Sequence, residues 1–390
     1  MVATGGVGVA TVTTTSSTYV DSSLQGGTTS LVNLDTTQYY GATYYFEATF
    51  FTSAATGYVS LFDSSDVEVS GAGVTTTSTS AVRVRSGAIT PSSGDYKWRF
   101  KNDGTNTTTI YNARIVIIQN ANKITNTESQ IPLETSIHLS TSSSSYVDIG
   151  SSEWGFFLYT SSEWDGTLNF YYESNLRTDS GIGYSILYDD TASATVSGSE
   201  VSTSSTSFVR VRSGSFSLTN SHVYKPRSKG DGSSTVTLID ARLIAQQSNN
   251  PTKSVSYLTL NSQASAFATT GSYLDTLQIV NYTSANWNVD SITWEHEAHW
   301  IINNSSTTNM DIYKLTDAAQ LSGSELSGTD LNVNTRYRSG SITMPSSQDL
   351  TSRAKLSAVG TIATGPTRLI ATMTWTNTSQ TVDKMFLLFQ

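Results

Sequence analysis

The sequence contains no cysteine in 390 residues. That excludes disulfides, thiolate metal sites and cysteine nucleophiles. Charged residues make up only 14% of the chain, and the formal net charge is −9. Binding to phosphate backbones needs the opposite sign, so nucleic acid is not an expected partner. No apolar run approaches membrane-span length, and no charged-then-apolar leader precedes the first structured stretch. No helical 3.6-residue period of useful length is present. A Gly-x-Ser-x-Gly elbow, a P-loop and a dinucleotide fingerprint are likewise missing, so neither an enzyme nor a cofactor is expected. The few prolines, Pro91, Pro132, Pro226, Pro251, Pro345 and Pro366, read as turns or joins.

What the chain does have is a threefold internal repeat. Val82-Arg83-Val84-Arg85-Ser86-Gly87 returns as Val209-Arg210-Val211-Arg212-Ser213-Gly214 and again as Thr335-Arg336-Tyr337-Arg338-Ser339-Gly340. Five further anchors keep the same order. They are Tyr19-Val20-Asp21, Tyr146-Val147-Asp148 and Tyr273-Leu274-Asp275; the strand carboxylates Glu47, Glu173 and Glu297; the turn aspartates Asp63, Asp189 and Asp317; the glycines Gly71, Gly198 and Gly323; and the closing arginines Arg114, Arg242 and Arg368. The period of about 127 residues is far longer than a solenoid rung, so each unit is a domain. The expected domains are 1–119, 131–247 and 253–390, the last carrying an apolar strand at its end.

Within each copy, short runs alternate with period two between turn signals. Tyr44, Phe46, Ala48 and Phe50 share one face, and Tyr45, Glu47 and Thr49 the other. Asp63-Ser64-Ser65-Asp66 reads as a hairpin turn. About eight strands per copy predict an all-β protein of three tandem jelly-roll-like β-sandwiches. Short joins predict a semi-rigid rod of three beads.

Several residues stand out as candidate sites. Glu47, Arg83, Arg85 and Arg114, with Glu173, Arg210, Arg212 and Arg242, and Glu297, Arg336, Arg338 and Arg368, form a repeated ladder on an outward sheet face. Cross-strand pairing would fix register there, and an anion or glycan site is the functional alternative. Tyr40, Trp164 and Trp287 are candidates for glycan contact, weighed against ordinary core roles. His296 and His299 are three apart on a strand and so face opposite sides, which favours a structural reading over a metal. His138 and His222 show no partner pattern. The turn aspartates, with Asp66 and Asp190, could take calcium, although aspartate is also a plain turn residue. Asn106, Asn281, Asn303, Asn304 and Asn377 fit the glycosylation sequon. The terminal run Met385-Phe386-Leu387-Leu388-Phe389 reads as a strand with no next module to join. It either closes the sheet of the third copy or adds to an exposed edge of another subunit.

The run of Tyr45-Phe46-Glu47-Ala48, an acidic turn, Val69-Ser70-Gly71, Val84-Arg85-Ser86-Gly87 and Ala113-Arg114-Ile115 resembles tandem jelly-roll modules of uncharacterised prokaryotic surface proteins. The resemblance covers most of the chain and is loosest in the third copy. It implies a fold and not an activity. The expectation is therefore a structural extracellular or cell-surface protein, a homopolymer assembling into a filament or surface layer through end-to-end strand contacts. The alternative is a carbohydrate-binding or adhesion protein.

Overall fold

The computed structural model describes residues 11–21, 31–121, 124–134, 139–149, 155–261, 265–269, 271–276, 278–303, 306–331, 333–358, 360–376 and 380–388. Phe389 and His138 lie outside them. Module 1 contains β1 (Val12–Thr14), β2 (Val20–Asp21), β3 (Val32–Leu34), β4 (Ala42–Thr52), β5 (Gly57–Asp63), β6 (Val74–Thr76), β7 (Val82–Arg85), β8 (Gly94–Lys101) and β9 (Thr108–Ala121). Module 2 follows with β10 (Thr127–Glu134), β11 (Leu139–Thr141), β12 (Phe157–Leu158), β13 (Thr167–Thr178), β14 (Gly183–Asp189), β15 (Ala194–Thr195), β16 (Val201–Thr203), β17 (Val209–Arg212), β18 (Val223–Lys229) and β19 (Val236–Ser248). Module 3 contains β20 (Lys253–Asn261), β21 (Ser265–Thr269), β22 (Leu274–Asp275), β23 (Val280–Tyr282), β24 (Ser291–Ile302), β25 (Thr308–Lys314), β26 (Ala319–Gln320), β27 (Leu326–Gly328), β28 (Thr335–Arg338), β29 (Gln348–Leu356), β30 (Gly360–Thr364) and β31 (Thr367–Thr374). A last strand, β32 (Gln380–Leu388), ends the described chain.

The period-two alternation explains the layers. Phe46, Ala48 and Phe50 of β4 point into a core with Val59 and Leu61 of β5 and Trp98 and Phe100 of β8. In module 1 one sheet runs β1-β9-β4-β7 and the other β2-β8-β5-β6, with β3 also on β8. First strand beside last, and antiparallel pairs shared between two sheets, is jelly-roll order. Module 2 repeats it as β11 and β10 on β19, then β13 and β17, facing β12-β18-β14 with β15 and β16. Module 3 departs at one place. Its counterpart of β9 is divided into β30 and β31 by Gly365-Pro366, where Pro366 has no N–H to give a ladder. Its remaining strands keep the two-sheet plan.

Local turns recur as well. Asp63 Oδ1 accepts the N–H groups of Ser65 and Val67, both at 2.9 Å, which fixes the predicted hairpin. Gly71, Gly198 and Gly323 adopt φ of 78°, 82° and 81°, a left-handed conformation that disfavours a side chain. Among the described residues no helix is long and apolar enough to cross a membrane.

The modules do not form a rod. β10 lies along β19, placing Ile131 opposite Leu243. β20 lies along β31, placing Leu258 opposite Leu369. β32 turns back to module 1 and lies along β9, placing Phe386 opposite Ile115. Each module's last strand thus leads into the outer strand of the next module's sheet, and the module after the third is the first. The expected bead string is a closed ring, because the leftover strand finds its sheet at the other end of its own chain.

The cores meet across these junctions. Val255, Tyr257 and Ile370 pack in the core of module 2, and Ile124, from the first join, packs in the core of module 3.

Candidate functional site

The charged ladder sits where the modules meet. In module 1, Glu47 lies between Arg85 on β7 and Arg114 on β9 by strand register. Arg83 Nη1 and Arg85 Nε both reach Glu47 Oε2 at 2.8 Å. Arg114 Nε stands 3.7 Å from Glu47 Oε1. Module 2 repeats this with Arg210 Nη1 at 2.6 Å and Arg242 Nε at 3.6 Å from Glu173. In module 3, Arg336 and Arg368 hold Glu297 at 2.6 and 2.5 Å, while Arg338 turns to Glu295.

Alternation alone puts these groups on a face turned away from their own core, where solvent is expected. Instead Glu47, Glu173, Arg114 and Arg368 are 0% exposed. The preceding module of the ring covers them. Arg114 Nη2 donates to the Ile279 carbonyl of module 3 at 2.8 Å, and Arg83 Nε meets Asp349 of module 3 at 3.0 Å. Asn175 Nδ2 donates to the Leu31 carbonyl of module 1 at 3.1 Å, and Arg210 Nε meets Asp95 of module 1 at 3.0 Å. Arg368 Nη2 donates to the Phe156 carbonyl of module 2 at 2.6 Å, and Arg338 meets Glu163 of module 2 at 3.5 Å.

Leu31, Phe156 and Ile279 are equivalent, each just ahead of β3, β12 or β23. One interface is therefore built three times around a pseudo-threefold axis. Asp95 and Asp349 are equivalent too, and Val223 takes their place in module 2, next to His222, which is bound to Asp189 at 2.7 Å.

Burial would raise the Glu297 carboxyl, but the guanidinium groups of Arg368 and Arg336 overcome it and hold the group well below the usual carboxylate range. Burial lowers the Arg114 guanidinium to about 10. Burial also pushes His296 and His299 down to about 4. Both imidazoles are therefore neutral. His296 Nδ1 faces the Ser324 carbonyl at 2.6 Å, and His299 accepts the Phe156 N–H at 3.2 Å across the interface of modules 2 and 3. The first interface also holds a lone carboxyl, Glu128, buried at 1% exposure. Burial raises it, while Gln246 and Gln130 donate to it and Tyr39 adds a third hydrogen bond at 3.1 Å.

The aromatic candidates divide. Trp164 and Trp287 are each 6% exposed and pack in cores. Neither ring can lie flat against a glycan, and that assignment is corrected. Each follows a 3₁₀ turn, Ser161–Glu163 or Ser284–Asn286, that tucks it under the sheet. Tyr40 is 60% exposed and stands alone.

The turn aspartates have protein partners. Asp66 pairs with Lys97, Asp190 with Lys225 at 2.8 Å, and Asp317 with Lys314 at 2.8 Å. Among the described residues no group of three or more His, Asp and Glu could hold a metal.

The terminal candidates Met385, Phe386, Leu387 and Leu388 pair through their backbones with Val116, Ile115, Arg114 and Ala113 of β9 in the same chain. The sheet closed is that of module 1, not that of module 3. Sequence reasoning missed the cross-module acceptors Leu31, Phe156 and Ile279, because a backbone carbonyl leaves no signature in residue type. A signal for the closure was available. β10, β20 and β32 begin at Thr127, Lys253 and Gln380, one repeat length apart.

No protein-family model matches the chain, and no curated protein matches it. Among solved structures, that of infectious bursal disease virus Gx strain is similar at 11% identity over 68% of this chain and 80% of that one, with a TM-score of 0.20. The Sulfolobus turreted icosahedral virus structure is similar at 11% identity over 92% and 90%, TM-score 0.19. The PBSX exported protein XepA is similar at 8% identity over 63% and 86%, TM-score 0.17. Superpositions this loose carry no argument, so the reading of this chain rests on its own all-β, jelly-roll geometry.

Proposed function

We propose that the protein is a structural subunit, a trimer-like ring made from one chain. The observation that carries this reading is the placement of β32 on β9, in the slot that β10 and β20 fill in the other modules. The conspicuous charged residues are committed to one another and to the interfaces, which suits a rigid scaffold better than a reaction centre. Such a ring offers three similar outer surfaces for assembly with copies of itself.

The filament reading uses the same strand. β32 of one copy would enter the module 1 slot of the next, and a head-to-tail exchange that does not close makes a fibre. It is favoured by the slot's being filled from the far end of the chain, so that either copy could supply the strand. An extracellular or cell-surface setting, and glycan adhesion through exposed residues such as Tyr40, belong to this proposal as its alternatives.

Light scattering with electron microscopy of purified protein tests it. Compact monomeric rings, or regular assemblies of them, support the ring. Beaded fibres that disappear when residues 380–390 are deleted favour exchange. An extended three-bead monomer would overturn both.

A further inference from the structure

The three ladders share their guanidinium groups but differ in their acids. In module 2, Asp240 at 3.3 Å from Arg242 and Asp95 at 3.0 Å from Arg210 join Glu173, so three carboxylates stand against Arg210, Arg242 and the neighbouring Arg212, whose guanidinium lies over the Tyr171 ring at 4.1 Å. In module 3, Glu295 and Glu163 join Glu297 through Arg338, and the count is again three against three. In module 1 only Asp349 joins Glu47, so Arg83, Arg85 and Arg114 meet two carboxylates.

The shortfall is written in the sequence. Asn112 stands where module 2 has Asp240, two residues before the closing arginine. Tyr45 stands where module 3 has Glu295, two residues before the ladder glutamate. Asn286 ends the 3₁₀ turn of module 3 as Glu163 ends that of module 2. Of the acids that balance the other ladders, only the equivalent of Asp95 is kept here, as Asp349; those of Asp240, Glu295 and Glu163 are neutral.

The uncompensated group is Arg85. Its Nε donates to Glu47 Oε2 at 2.8 Å, and its guanidinium lies over the Tyr45 ring at 5.6 Å. Its Nη2 is buried without a partner. Arg336 Nη2 and Arg338 Nε are also unpartnered, but they stand in a ladder whose charges balance. A buried N–H of a cation is costly to leave unmade. The excess reaches Arg114 as well: burial lowers it first, and Arg83 and Arg85 push the same way against Glu47.

We infer that Arg85 receives a small tetrahedral oxyanion of the phosphate or sulfate class at the interface of modules 1 and 3. This is the junction that β32 closes, so the anion supplies the missing negative charge where the ring is held by non-covalent contacts alone. The inference rests on the closed ring of the structural reading.

The test is thermal unfolding of the full chain in inorganic phosphate, and separately in sulfate, against chloride of matched ionic strength. The expected result is a saturable rise in Tm of about 2–5 °C. Arg85→Gln loses that rise. Asn286→Glu, which restores the acid of module 2's turn, raises Tm in chloride and abolishes the response to phosphate. A response to both oxyanions marks a general site, and a response to phosphate alone a selective one. A rise that grows linearly with salt, or that survives in both variants, overturns the site. If Arg85→Gln fails to fold, Asn286→Glu decides alone. Light scattering on the same samples separates the two ideas. A compact monomer blind to both anions sinks only the site, whereas an extended open monomer sinks the ring.

Discussion

Two of the ring's junctions are covalent in both directions. β9 passes through residues 122–126 into β10, and β10 passes through 135–138 into the rest of module 2. β20 is held between modules 2 and 3 in the same way. At the third junction β32 is reached from β31 by a similar short join, but no peptide bond carries it onward to β1. The strand pairings are alike at all three. What differs is the cost of opening. A strand joined by short links to both of its modules returns at the high local concentration those links impose, whereas one joined by a short link only to module 3 can leave module 1 and be captured by a neighbour. The seam is also the junction whose ladder carries an excess positive charge. Geometry that looks threefold is thus weakest at one predictable place.

Removing residues 380–390 tests that comparison most severely. The outer edge of β9 from Ala113 to Ala121 is then uncovered, and an exposed edge is a template for pairing with other chains. The expectation is a Tm lower by about 10 °C or more, with loss of the monomer peak in size-exclusion chromatography. A truncated chain as stable and as compact as the intact one would mean that β32 adds nothing to module 1.

The next largest effect separates the balanced ladder from the unbalanced one. Arg368→Met leaves Glu297 buried without its main counter-ion and should cost about 3–5 kcal/mol in chemical denaturation. Arg85→Met in chloride removes a charge already in excess and should cost about 1 kcal/mol or less. Equal losses would erase the distinction between seam and covalent interface.

Acid should then single out module 3. His296 and His299 are lowered from 6.5 to about 4, so the unfolded chain takes up protons before the folded one does. Their full stabilisation is present above about pH 6.5, and it falls as pH drops from there towards 4, by up to about 3 kcal/mol for each residue. Module 1 has Phe46 where His296 stands. His296→Phe should therefore remove about half of the loss, read as the urea midpoint between pH 7 and pH 4.5. The smallest effect is expected at Tyr40, where Tyr40→Ser should change stability by no more than about 0.5 kcal/mol.

The jelly roll is legible in the sequence because its signals are local. Tyr44 to Phe50 alternate, Asp63 turns the hairpin, and Gly71, Gly198 and Gly323 mark one backbone conformation three times. The cross-strand partners of Glu47 are legible too, since register follows from which face is apolar. The burial of Glu47 is not. A strand's period says which residues share a face, and it is silent on what covers the second face. Here the cover is a backbone carbonyl about 165 residues away in sequence, as Arg114 to Ile279 illustrates. Trp164 and Trp287 show the same limit, because an aromatic beside a polar turn looks alike whether it faces water or is folded under a sheet. The terminal strand was visible as a strand, but its sheet lay at the opposite end of the chain, where no local pattern points.

The two strands that flank the seam lie in line along β9. Leu388 of β32 sits opposite Ala113, and Val12 of β1 opposite Ile110. In module 2 the covalently joined strands leave the same gap, with Glu134 opposite Ala241 and Leu139 opposite Leu238. A linker as short as residues 135–138 would therefore bridge residue 388 to residue 12, and a cut between 249 and 252 would release new ends without disturbing any sheet. The order of segments in the gene is, for this ring, one of three interchangeable readings. A single module encoded alone, with one strand added after its last and lent to a neighbour, would build the same triangle from three separate chains.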